Sequence, residues 1–184
     1  MERKEFLKSA CRFGVCSCAG MALFSGPFVR AGSVQSEEEK PDWRLGFMQK
    51  RFAKLLGIIE SSVDEETKLK MIEQLGRACS KEDASGYLPF KGNVRGYLKA
   101  SEKEFFEKTV FDESAKRITL IGKKTESCFC PFADVSVTPK SFCNCSLGFM
   151  KQTFETILEK PVEARVVESV LRGGERCSFE IRYA

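Results

Sequence analysis

The chain has no histidine among its 184 residues. That absence removes Ser-His-Asp and Cys-His catalysis together with every histidine-ligated metal site. Any soft-metal site must then be built from thiolates, with a carboxylate or water in support. Charge of one sign is also scarce. The formal net charge is +4, and residues 1–31 hold most of it: Arg3, Lys4, Lys8, Arg12 and Arg30 stand against Glu2 and Glu5. The remainder carries about +1, too little for an electrostatic nucleic-acid footprint. Internal repeats and low-complexity segments are missing as well, and the longest apolar stretch, Phe13 to Val29, is short for a membrane span. What remains is a composition ordinary for a globular chain, 42% hydrophobic and 30% charged, long enough to bury a core without relying on disulfides.

The first 31 residues read as an address. Glu2-Arg3-Lys4-Glu5-Phe6-Leu7-Lys8 resembles the twin-arginine export motif, with Lys4 in place of the second arginine, and a moderately apolar run follows. A small-residue cleavage site fits Val29-Arg30-Ala31, and residues 32–41 read as a polar tether. The resemblance implies recognition by twin-arginine export machinery and a place in the periplasm or at the cell surface, membrane-anchored if the leader stays. Residues 42–184 then form a single cysteine-rich domain. Cleavage takes Cys11, Cys16 and Cys18 with the leader, leaving Cys79, Cys128, Cys130, Cys143, Cys145 and Cys177.

Periodicity predicts an α+β domain: N-terminal helices, then two β-hairpins forming an antiparallel sheet with a helix between them. From Asp42 to Ser61, Trp43, Phe47, Phe52, Leu55, Leu56 and Ile59 recur at three- and four-residue steps, the stripe of a core-facing helix. A second helix is expected from Ser62, capped by its hydroxyl with Glu65 closing the box, with Leu69, Ile72 and Leu75 buried. Gly86, Pro89, Gly92 and Gly96 predict a loop holding a helical turn over Val94 to Lys99, and a further short helix is expected over Glu102 to Lys108. Strands follow at Thr109–Asp112 and Arg117–Gly122, the second alternating cleanly. A helix capped by Ser146 runs to Leu158, with Lys151 and Glu155 expected to face water, and Pro161 stops it. Val162 to Leu171 and Arg176 to Tyr183 form the last hairpin around Gly173-Gly174.

The chemistry concentrates in two Cys-x-Cys pairs, Cys128-Phe129-Cys130 and Cys143-Asn144-Cys145. Strand residues two apart lie about 6.5 Å from each other. Two thiolates on one tetrahedral ion need sulfurs about 3.7 Å apart, so each pair is expected to bend. Together they offer four sulfurs to a zinc ion, or ligands to an iron–sulfur cluster, with Cys177 and Cys79 as further candidates. Disulfide pairing and inert burial are the alternatives.

Residues Cys128 to Tyr183 resemble the vinyl-4-reductase small-molecule-binding domain. The shared pattern is a cysteine-rich opening, Cys145-Ser146-Leu147-Gly148-Phe149 beginning a helix, a Lys160-Pro161-Val162 stop, a Gly173-Gly174 turn and Cys177-Ser178-Phe179-Glu180-Ile181. The resemblance implies a pocket for a small apolar ligand and a zinc-suited cysteine cluster in an exported bacterial protein. Where that family carries a further cysteine, this chain has Glu168-Ser169-Val170. The expected function is an exported, cysteine-ligated metal-binding domain for a small ligand. The alternative is a metal-dependent hydrolase or a redox enzyme acting on a small molecule, with Glu168 or Glu180 as a base that otherwise reads as a solvated strand residue. A homodimer is compatible with either.

Overall fold

The structure, a computed structural model, describes residues 43–184; the expected leader, its cleavage site and the tether lie outside the described residues. Helices α1 (Trp43–Ser62), α2 (Glu65–Glu82) and α3 (Val94–Glu104) precede strands β1 (Phe106–Asp112) and β2 (Arg117–Gly122). Helix α4 (Cys143–Leu158) follows, then β3 (Val162–Glu168) and β4 (Ser178–Tyr183). The sheet order is β1-β2-β4-β3, antiparallel throughout. The expected fold class is therefore the observed one, with α4 between the two strand pairs.

Alternation in β2 and β4 decides which sheet face is covered. Ile118 stands opposite Ile181 and Leu120 opposite Phe179, and these side chains meet Phe154 of α4 and Leu98 of α3 in one core. Ile118, Leu120, Phe154 and Ile181 are wholly shielded from solvent, so each supplies the full hydrophobic contribution of a buried side chain, about 1.5–3 kcal/mol. The opposite face is polar. There Glu180 is buried between Arg165 and Arg182, which donate to its carboxylate at 3.0–3.1 Å and 2.9 Å. Glu180 is thus an ion-paired residue and not the solvated one expected. Glu168 accepts from the Glu175 backbone N–H at 2.8 Å, which ties down the turn before β4.

Helices α2 and α4 pack backbone to backbone. A Cβ added to Gly76 would lie 1.8 Å from the Cys145 carbonyl oxygen, and one on Gly148 would lie 1.9 Å from that of Glu73. Only glycine permits this approach. Between them, the Ser80 and Thr153 hydroxyls share a buried hydrogen bond of 2.9 Å. Arg77 reaches Glu155 at 2.7 Å and Lys151 reaches Glu73 at 2.7 Å. Lys151 and Glu155 therefore bind the neighbouring helix instead of facing water, because the close approach brings opposite charges of α2 within reach.

Several boundaries move. Helix α1 extends through Ser62, whose hydroxyl donates back to the Ile58 carbonyl, and Asp64 caps α2 by accepting from Thr67 N–H at 2.9 Å. The buried edge of α2 is Lys68, Ile72, Gly76 and Ser80, and Leu75 is exposed. The glycines near α3 do not prevent a full helix, because Asn93 caps it through Gly96 N–H at 2.9 Å. That helix ends at Glu104 and β1 begins at Phe106, so the helix expected over Glu102 to Lys108 is absent. Strand β3 stops at Glu168, where residues 170–172 turn through a short 3-10 helix into Gly173 at φ 94°. Among the described residues no helix is long and apolar enough to cross a membrane.

Candidate functional site

A second apolar cluster lies outside the sheet core. Leu56 of α1, Ile72 of α2, Ala133, Phe142, Cys143 and Leu171 form it, with Cys128, Cys130 and Cys145 packed against it. Two segments supply the cysteines here, the irregular 123–142 connection and the first turn of α4; Cys177 packs against the sheet core and Cys79 lies exposed on α2.

The second Cys-x-Cys pair is not a bent strand. Residues 140–142 form a short 3-10 turn that runs directly into α4 at Cys143, and Asn144 donates to the Ser141 carbonyl at 2.7 Å. Ser146 consequently sits inside the helix and does not cap it. Successive helical residues are rotated by about 100°, so Cys143 and Cys145 leave the helix about 200° apart. Cys143 is buried, with its sulfur 2.9 Å from the Ser169 hydroxyl. Cys145 faces α2 at the Gly76 crossing, and Cys79 follows Gly76 by one turn.

The electrostatics divide the six thiols in the same way. Burial, followed by neighbouring charge at Cys177 and Cys143, pushes the Cys128 thiol up to about 11. Burial, with charge at Cys130 and Cys79, pushes Cys145 up to about 12. Burial and Cys130 also raise Cys79. Cys177 is raised by burial and by Cys143, against hydrogen bonds from the Val170 backbone N–H and the Ser169 hydroxyl. One group is therefore Cys128, Cys143 and Cys177 around Ser169, and the other is Cys79, Cys130 and Cys145 along α2. The Cys128–Cys130 pair links them. Mutual repulsion of this kind keeps thiols protonated unless a cation replaces the protons.

Four of the six candidate cysteines thus share one apolar cluster, Cys177 and Cys79 stand beside them within electrostatic reach, and all six are free thiols. As donors they suit a soft metal ion. In position they fall short, since among the described residues no three cysteine or carboxylate side chains are arranged to hold a metal ion. Two further residues belong to the site and escaped the sequence reading. Ser169 looked like a strand residue, and the one signal for it was its place where the resembled family has cysteine. Asp134, whose charge acts on Cys128, sits in the irregular connection and gave no signal.

Beside this region, a solvent-open cleft of about 550 Å³ is lined by Lys124, Glu126, Val135, Val170, Gly174 and Glu175. It lies over the turn before β4.

No family model matches the chain, and no curated protein matches it. Among solved structures it is similar to a trafficking protein particle complex subunit 3 from Naegleria fowleri covalently bound to palmitic acid, with 12% identity and a TM-score of 0.46. That likeness covers 76% of this chain and 96% of the other. It is also similar to a vinyl-4-reductase family protein from Methanocaldococcus jannaschii, with 15% identity and a TM-score of 0.37, over 81% of this chain and 85% of that one.

Proposed function

We propose that this is an exported binding protein whose thiol cluster takes up a soft metal ion and whose neighbouring cleft receives a small molecule. The observation that carries the reading is the convergence of four free thiols, Cys128, Cys130, Cys143 and Cys145, from the irregular connection and α4 onto one apolar cluster. Cys128 and Cys130 lie on the irregular connection, which adjusts at lower cost than helices locked by Gly76 and Gly148. Metal uptake then draws that connection toward the thiols of α4 and β4. Zinc is the ion of choice for an all-thiolate set, with an iron–sulfur cluster as the alternative. A pairwise redox use of the same thiols is the second reading. It is favoured by the absence, among the described residues, of three donors already grouped for a metal.

The full chain made without oxygen separates these readings. Near-stoichiometric zinc or iron, lost in a Cys128→Ser plus Cys143→Ser variant, supports the metal. Metal-free protein with all nine thiols titratable, of which the six of residues 43–184 are converted by a small-molecule disulfide to protein disulfides, supports the redox reading and ends the first. Export has its own test. Residues 1–32 fused to a folded reporter are expected to carry it out of the cytoplasm, and Arg3→Ala is expected to retain it there.

A further inference from the structure

Helix α1 is apolar on two sides, and the domain uses one. Its inward side, Ala53 and Leu56 with Phe52, rests on Phe132 and Phe142 at ring separations of 5.6 and 5.1 Å. Half of the stripe expected to face the core does so, through Phe52, Leu56 and Ile59, and the other half, Trp43, Phe47 and Leu55, is turned away from it together with Ile58. Trp43 is 73% exposed, Phe47 48%, Leu55 51% and Ile58 61%. Single exposed apolar residues are ordinary on a soluble surface, but six large ones on one helix, Leu45 and Met48 included, are not. Lys50, Arg51 and Lys54 are exposed among them, and the Arg51 guanidinium lies 5.1 Å from the Phe47 ring centre. At 100° per residue these three bases fall on the same outward half of the helix as Trp43, Phe47 and Ile58.

Charge decides between the candidate occupants. The helix has no acid before Glu60, and that carboxylate is engaged by Lys68 at 3.7 Å and Ser141 at 2.6 Å. A second copy laid against α1 by two-fold symmetry would set Lys50, Arg51 and Lys54 against their own kind, with no carboxylate on the helix before Glu60 to answer them and only Asp134 of the connection beside it, whose charge already faces Lys50. A surface of lipid phosphates over acyl chains answers both halves of the pattern. Aromatic and aliphatic side chains enter the boundary, and long basic side chains extend to the phosphates.

We infer that the outward face of α1 docks on an anionic lipid bilayer, with Trp43, Phe47 and Ile58 in the headgroup boundary and Lys50, Arg51 and Lys54 on lipid phosphates. This does not depend on the thiol site. The chain reports on it directly, because Trp43 is the sole tryptophan.

The full chain is mixed with vesicles of phosphatidylcholine alone or with phosphatidylglycerol added. With anionic vesicles, Trp43 emission is expected to move to shorter wavelength and to be quenched by brominated acyl chains. Lys50→Glu, Arg51→Glu and Lys54→Glu together are expected to weaken binding by at least about tenfold, as loss of three lipid-facing bases predicts. Lys99→Glu, Lys103→Glu and Lys108→Glu, the same charge change on exposed positions elsewhere, are expected to weaken it far less. Phe47→Asp with Ile58→Asp is expected to abolish the quenching. Equal binding to both vesicle types overturns the inference, as does vesicle binding that leaves Trp43 emission unmoved, which would assign attachment to the leader. A Trp43 shift that depends on protein concentration without lipid, with a doubled mass, overturns it in favour of a second copy.

Discussion

Ser169 stands between two sulfurs, with its hydroxyl 2.9 Å from Cys143 and a lowering influence on the pKa of the Cys177 thiol. Removing its hydroxyl leaves buried groups without a partner, so Ser169→Ala is expected to lower stability by about 1–3 kcal/mol in denaturant unfolding. If the cluster holds metal, Ser169→Cys is expected to raise metal affinity, measured by competition with a chromophoric chelator. The thiols also predict a pH dependence. Cys145 ordinarily ionises near 9.0 and is pushed to about 12 in the fold. The unfolded chain therefore loses that proton first. Stability tied to this group is intact below pH 9 and falls as pH rises from 9 toward 12. Reduced, metal-free protein is expected to unfold at lower denaturant as pH rises through that window, and Cys145→Ser is expected to flatten the loss.

At the level of elements, the α2–α4 contact sets where the second thiol group stands. Gly76→Ala would drive a methyl into the Cys145 carbonyl, and Gly148→Ala would do the same at Glu73. Each is expected to cost about 1–3 kcal/mol or more. Because the helices must separate, each is also expected to slow oxidative cross-linking of Cys79 to Cys145, read by mass spectrometry. The sheet predicts an acid limit. Hydrogen bonds from Arg165, and then Arg182, hold Glu180 down to about 2 against an ordinary 4.5. Its contribution is present above pH 4.5 and lost as pH falls toward 2. Arg165→Met is expected to shift the Glu180 titration upward in a carboxyl-resolved NMR series, so that the loss ends at higher pH and less stability is lost on acidification.

At the level of the molecule, the two apolar clusters do different work. One lies between the sheet and α3 with α4; the other holds four of the cysteines against α1 and α2. The alternation of Arg117–Gly122 and of Phe179 and Ile181 made the first legible, because a strand with one covered face must alternate. The grouping of the six cysteines was legible only in part. Their spacing suggested convergence, yet the helical start at Cys143 sends the pair to two sides, and that start depends on Pro139 to Phe142 docking against α1. The apolar stripe of α1 misled for a related reason. Periodicity marks an apolar face without saying whether the domain, a bilayer or nothing meets it. By itself the sequence determined the kinds of element, the all-thiol character of any soft-metal site and the exclusion of histidine chemistry, since these follow from local pattern and composition. Only the tertiary structure decided that β4 lies between β2 and β3, that the thiols divide around Ser169 and along α2, and that α1 turns Trp43 and Phe47 outward while Phe52 faces the domain. Each of these depends on contacts between residues far apart in the chain, which no local pattern records.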